Sequence, residues 1–322
     1  MSALDDIPFL NELPIVANKN NALPRVTLTE SAARPVLDFV LPGLLAGSVG
    51  MIVGQGAIGK SYLALQIGLS MATGAPVADG LWDIPKIGKT LIVMGEDDTQ
   101  ILQERLYWIR QAANLTDEEA SKADLLLDVR SARGFDIRII QKTRDGFTKG
   151  PFFETLLSLC SQQRLVIIDP LLFLNGGGNE NDNGAAAVLM SYLYQICRET
   201  GCTIILLHHV GKGGGDGKED WTAARGASAF TTSVRWQVNM TPLNKEQLAE
   251  FGIDESLKNS WVKVAIVKAN YGDAGEPKLL NRGKGGVLSW LDKVKSIAKS
   301  ASNYQKAAQP TKKGVVNDEN DW

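Results

Sequence analysis

Gly54-Gln55-Gly56-Ala57-Ile58-Gly59-Lys60-Ser61 fits the pattern G-x-x-x-x-G-K-[ST] at each required position. A short apolar run at residues 49–53 precedes it and predicts a strand. Apolar residues at helical spacing follow it over 61–73, among them Leu63, Ile67 and Met71. Strand, glycine loop and helix form the context in which such a loop holds phosphate. Glycines let successive backbone N–H groups converge on phosphate oxygens, and the helix N-terminus adds positive potential. The candidate contacts therefore run from Gly54 through Ser61, with Tyr62 directly behind. Lys60 is expected to reach the β- and γ-phosphates of ATP, and the Ser61 hydroxyl to ligate Mg²⁺.

Beyond the loop, apolar strand candidates alternate with helices. Thr90–Met94 predicts a second strand, followed by a helix over Thr99–Ala112. Residues 165–168 predict a third strand, after a helix that Pro151 can open at its first position. A helical pattern over 185–199 and a fourth strand at 203–207 follow. This alternation predicts an α/β fold with a mainly parallel sheet covered by helices on both faces. Residues 233–240, Trp261–Ala269 and 286–290 read as strands extending that sheet, with antiparallel members. The organisation expected is an extended N-terminal arm over 1–35, one core over 36–290 and a flexible tail over 291–322 that contains six lysines.

A carboxylate at the tip of another strand should complete the magnesium site. Leu165-Val166-Ile167-Ile168-Asp169 supplies it, and Asp169 would act through the ion's water shell. Pro170 comes next, so the carboxylate that orients the attacking water must lie elsewhere. Glu96, in Gly95-Glu96-Asp97-Asp98 after the second strand, is the candidate, on the expectation that its strand neighbours the loop strand. Asp97 is the reserve, and one of Asp97 and Asp98 is expected to cap the following helix. The two histidines, His208 and His209, are adjacent at the end of the fourth strand. Neighbouring strand residues point to opposite faces, so one can sense the γ-phosphate while the other packs or hydrogen-bonds beneath the loop.

Composition narrows the class. With 44 % hydrophobic and 22 % charged residues the chain is globular, and no apolar run is long enough to span a bilayer. Residues 1–10 lack a secretory pattern, so a cytoplasmic location without membrane contact is expected. Cys160, Cys197 and Cys202 make no metal-binding spacing and read as buried reduced thiols. A net charge of −2 excludes a wholly basic surface, so any nucleic-acid contact must be local.

The order of motifs resembles the RepA-type plasmid replicative helicases, a compact branch of the RecA-like hexameric helicases that includes the DnaB type. The similarity runs over about 35–290 and rests on Asp38-Phe39-Val40-Leu41-Pro42, the glycine loop, Gly95-Glu96-Asp97 and Ile168-Asp169. It continues with Leu207-His208-His209, Arg225-Gly226-Ala227-Ser228, Arg235-Trp236 and Lys268-Ala269-Asn270-Tyr271-Gly272. The resemblance implies a RecA-like P-loop fold and a six-membered homo-oligomeric ring with ATP at subunit interfaces. It implies Glu96 as catalytic carboxylate, one of the two histidines as the link from γ-phosphate to DNA loops, and Arg105 as a supporting residue at the nucleotide. DnaB-type proteins carry Lys-x-Arg where this chain has Lys268-Ala269-Asn270, so the arginine finger moves to Arg235, accompanied by Lys268. Residues 211–228 would line a channel for single-stranded DNA through Lys212, Lys218 and Arg225, in a stretch whose Asp216, Glu219 and Asp220 offset that charge.

The activity this implies is an ATP-driven DNA helicase in plasmid, phage or mobile-element replication. As a minimal motor, it would rely on a replication initiator, loader or primase. Two other readings stand beside it: a RecA-like DNA-dependent ATPase or recombination factor that does not unwind, and a P-loop kinase or signalling ATPase without nucleic acid.

Overall fold

The computed structural model describes residues 23–176, 182–209 and 228–290. A hairpin of β1 (Phe39–Leu41) and β2 (Leu44–Leu45) precedes β3 (Val49–Gly54), and α1 (Lys60–Thr73) follows the glycine loop. Next come β4 (Thr90–Met94), α2 (Thr99–Ala112), α3 (Asp117–Asp124) and β5 (Leu127–Ser131). The strands β6 (Ile140–Thr143) and β7 (Gly146–Lys149) lead to α4 (Phe153–Cys160) and β8 (Leu165–Asp169). The strand β9 (Asn175–Gly176), α5 (Asn183–Thr200) and β10 (Thr203–His209) follow. The last elements are α6 (Ser228–Ser233), β11 (Trp236–Thr241), α7 (Lys245–Glu250), β12 (Trp261–Ala269), β13 (Lys278–Arg282) and β14 (Leu288–Trp290).

One nine-stranded sheet organises them in the order β14-β13-β12-β11-β3-β10-β8-β4-β5. The six strands from β11 to β5 run parallel, and β12, β13 and β14 extend the sheet antiparallel. This is the architecture anticipated from the alternation of apolar runs, and it is a RecA-like P-loop fold.

Strand periodicity sorts the core into two layers. Ile52, Ile92, Ile167 and Ile205 pack with Leu63, Ile67 and Met71 of α1 and with Leu102 and Ile109 of α2. Met51, Leu91, Val93, Val166, Ile168, Ile204 and Leu206 face the other way, against Phe153 and Leu156 of α4 and Leu189, Leu193 and Ile196 of α5. Burial on both faces explains why β3, β4 and β8 are apolar almost without interruption. The three cysteines are buried and free, on α4, on α5 and at the entry to β10. The neighbouring Cys202 thiol, and then burial, raise the Cys160 pKa above its ordinary value, which disfavours the reactive thiolate.

Several boundaries differ from the sequence reading. Pro151 lies in a turn and α4 begins at Phe153, because the backbone N–H groups of Phe152 and Phe153 are still engaged with Arg138 and Gly150. The strand expected over 233–240 starts at Trp236, since Ser233 closes α6. The strand expected over 286–290 starts at Leu288 after a tight turn in which Gly285 and Gly286 take positive φ. Several elements were not foreseen: the β1–β2 hairpin, α3 with its Thr116/Glu119 capping box, the strand β5, a small sheet of β7, β6 and β9, the short helices α6 and α7, and β13. Of the expected arm, residues 1–22 lie outside the described residues, as does the whole of 291–322.

Candidate nucleotide site

The glycine loop joins β3 to α1 at the carboxyl edge of the sheet, where strand order and helix direction leave a crevice in folds of this class. Gly59 sits at φ +109°, a conformation open to glycine and strained for other residues. Gly54 is held for a different reason. A Cβ there would approach the Met240 carbonyl and Ile58 Cγ2 to 2.9 Å.

Lys60 is 5 % exposed. Its ammonium donates to the carbonyls of Gly54 at 2.8 Å and Gln55 at 2.9 Å, folding back along the loop. It also lies 3.4 Å from His209 Nδ1. Burial lowers the Lys60 pKa below its ordinary value, and the charges of Asp169 and Glu96 oppose that shift. Ser61 Oγ donates to Asp169 Oδ2 at 2.6 Å. Burial raises the Asp169 pKa, the Ser61 hydrogen bond lowers it, Glu96 raises it, and Lys60 and His209 lower it. Both loop hydroxyl and strand carboxylate are hard oxygen donors, a set that suits Mg²⁺ shared with phosphates. Among the described residues no cluster of three or more His, Cys, Asp or Glu side chains forms a metal cage by itself.

The parity of the strands explains who meets whom. Asp169 continues the series Leu165, Ile167, and His209 continues Ile205, Leu207, so both emerge on the layer of α1. His208 falls on the opposite layer, is buried, and faces the Phe230 ring at 6.1 Å. Of the two histidines, His209 is therefore the one beside Lys60.

One sequence expectation is corrected here. The strand that carries Glu96 does not neighbour the loop strand, because β10 and β8 lie between β3 and β4. Glu96 still reaches the site through the register of β4 with β8, which pairs Met94 with Asp169 and lets Gly95 N–H donate to the Asp169 carbonyl at 2.6 Å. Gly95 permits this approach, since a Cβ would strike the Phe173 ring. Glu96 is exposed and makes no hydrogen bond or ion pair among the described residues.

Its neighbours are committed elsewhere. Asp98 caps α2 through Ile101 N–H and pairs with Arg133. Asp97, the reserve base, accepts a hydrogen bond from Arg105 Nη2 at 3.0 Å and forms an ion pair with its Nη1 at 2.6 Å. Arg105 is thereby a brace for the 95–98 turn, with its guanidinium 5.6 Å from the Tyr62 ring centroid. The Tyr62 hydroxyl donates to the Gly285 carbonyl, which ties the first turn of α1 to the β13–β14 connection.

Arg235 and Lys268 stand apart from this group. Parallel pairing aligns Trp236 with Gly50 and Met240 with Gly54, so Arg235 lies at the entry end of β11, roughly 15 Å of strand from the loop. Arg235 is exposed in a cleft of about 440 Å³ with Tyr194, Ser233 and Tyr271. Lys268, opposite Gln237 at the same end, donates to the carbonyls of Thr231 and Thr232. Neither belongs to the phosphate cradle of its own chain. Lys212, Lys218 and Arg225 fall outside the described residues.

Two contacts had no signal in the sequence. Arg282 of β13 donates to the Ala57 carbonyl at 2.9 Å, and Gln66 of α1 bonds both the N–H and the C=O of Leu288. Both bridge more than 200 positions, a separation that no local pattern reports.

Comparison with known structures places the fold. A solved ATPase domain is similar with a TM-score of 0.52 at 14 % identity, covering 82 % of this chain and 95 % of that one. The RadB recombinase is similar with a TM-score of 0.46 at 15 % identity, covering 77 % and 92 %. Among the described residues no helix is long and apolar enough to cross a membrane. A family profile described as an AAA domain matches residues 21–215, more than half of the chain and the stretch that carries the glycine loop, Glu96, Asp169 and His209, so the protein belongs to that family, AAA_25.

Proposed function

We propose that this chain is an ATP-hydrolysing motor of the RepA-type replicative helicase kind, acting as a head-to-tail homo-hexamer on single-stranded DNA. The observation that supports the reading is the placing of the nucleotide cradle and an exposed arginine at opposite edges of the sheet. The cradle with Lys60, Ser61, Asp169, Glu96 and His209 lies at one end of the parallel strands, and exposed Arg235 lies at the other. A head-to-tail interface joins unlike faces, so it would bring one subunit's entry edge to the next subunit's cradle, and it closes as a ring when the rotation between neighbours completes a full turn.

In this reading Glu96 orients and deprotonates the attacking water, and Lys60 leaves the loop carbonyls to neutralise charge growing on the transferred phosphoryl group. Ser61 and Asp169 would hold Mg²⁺, which supplies charge neutralisation at the β- and γ-phosphates when bound. His209, beside Lys60 and at the end of the strand that precedes 211–228, would pass the state of the γ-phosphate to Lys212, Lys218 and Arg225 on the DNA. Arg235 of one subunit would act as the finger on its neighbour's ATP.

A forked-duplex assay with ATP, run beside ATPase assays with and without single strands, tests the activity. Strand release with stimulated hydrolysis is the expected result. Stimulated hydrolysis without strand release would replace the helicase by a DNA-dependent ATPase. A monomeric mass together with unstimulated hydrolysis would point to a kinase or signalling ATPase.

A further inference from the structure

We propose that Arg282 is a positioning residue of the nucleotide site, acting on the phosphate cradle from β13. The inference rests on the nucleotide-binding reading of the loop and deepens it.

The guanidinium of Arg282 donates to the Ala57 carbonyl at 2.9 Å. Ala57 stands at the crest of the loop with φ +60°, a left-handed conformation that a residue with a Cβ rarely adopts. The peptide unit is planar and trans, so a clamp on the Ala57 oxygen also fixes the Ile58 N–H, which points the opposite way. Held in that direction, the N–H makes only a long bond to the Gln55 carbonyl, at 3.4 Å, weak enough to be exchanged for a stronger acceptor. Arg282 thus holds one loop amide toward the position a phosphate oxygen takes, and it supports the strained residue that makes this possible. Its positive charge also lies near Tyr62 and beside Gly59, whose ideal Cβ would come within 3.5 Å of the guanidinium.

The clamp is itself held in place. Arg282 pairs with Leu288 across β13 and β14, and Leu288 is bound on both backbone groups by Gln66 of α1. The intervening turn packs on α1 and α2: a Cβ on Gly286 would meet the Tyr62 ring at 2.8 Å, and one on Gly285 would meet Trp108 at 2.1 Å. The antiparallel extension of the sheet therefore ends by gripping the helix that the phosphate loop opens. An arginine here acts on binding of ground state and transition state alike, so its loss raises KM and leaves kcat nearly unchanged.

The test uses the full chain, with Mg·ADP binding measured by calorimetry and steady-state ATPase measured alongside. R282A is expected to weaken Mg·ADP binding about tenfold and to raise the KM for ATP by a similar factor, with kcat within about twofold. R282K, which keeps one donor and the charge, should recover most of the loss. K284A changes the same turn at an exposed residue and should bind as wild type does. R282A binding Mg·ADP with wild-type affinity would overturn the proposal, as would an equal loss in K284A, which would mark general displacement of the turn. If R282A does not fold, R282M keeps the packed stem without the donor, and wild-type affinity in that variant would overturn the proposal equally. A wild-type chain that binds no Mg·ADP would remove the underlying reading as well, and so is distinguishable from failure of the Arg282 role alone.

Discussion

Three consecutive acidic residues, Glu96, Asp97 and Asp98, sit in three different environments, and their partners distinguish them. Asp98 meets a helix N-terminus, Asp97 meets Arg105, and Glu96 meets neither. The E96Q variant should therefore retain nucleotide binding and lose roughly 10²–10⁴-fold in ATPase kcat, checked by steady-state hydrolysis beside Mg·ADP titration. D97N should instead loosen the 95–98 turn and cost about 1–2 kcal/mol in urea-denaturation stability, because Arg105 keeps a partly buried charge with a weaker partner. A D97N chain as inactive as E96Q but of unchanged stability would reverse the two assignments.

At the level of the element, the antiparallel extension is joined to the parallel core by side chains whose burial makes them costly to lose. Gln66 is 7 % exposed on α1 and satisfies both backbone groups of Leu288. Replacing it by leucine keeps the volume but leaves that N–H and C=O buried without partners, so Q66L should lower unfolding free energy by about 2–4 kcal/mol. Urea denaturation reads this directly. A second junction is pH-dependent: Arg164, at the start of β8, pairs with Asp38 ahead of β1 at 2.6 and 2.7 Å. The hydrogen bond from Arg164 holds the Asp38 carboxyl below its ordinary value of 3.8. A depressed folded pKa means the contribution is complete above that value and is lost as pH falls through the folded one. Since Asp38 is half exposed, D38N should cost at most about 1 kcal/mol at pH 7 and progressively less in acid. Denaturation curves at neutral pH and below about pH 3 compare the two.

For the whole molecule, the decisive question is whether a second copy completes the site. K60A removes the cradle's lysine and R235A the distant arginine, and each variant alone should show little ATPase. In mixed rings some interfaces combine an intact Lys60 with an intact Arg235 of the neighbour. Mixing the two inactive variants should therefore restore a measurable fraction of wild-type hydrolysis. Complementation absent in a mixture shown by mass to be hexameric would place Arg235 outside the reaction.

What the sequence determined by itself was local or periodic. The glycine loop, the apolar strand ending in Asp169 and the switch between strand and helix spacing each lie within a few consecutive residues, so backbone chemistry and burial specify them without reference to the rest. The parity of adjacent strand residues likewise said that only one of His208 and His209 could face the site. Tertiary structure decided which, because the layer occupied by α1 is set by how the strands order themselves. It also decided that two strands separate Glu96 from the loop, that Asp97 pairs with Arg105, and that Arg282 and Leu288 return from a distant part of the chain to the glycine loop and α1. Contacts of that kind depend on sheet order and chain crossover, and sequence spacing contains neither.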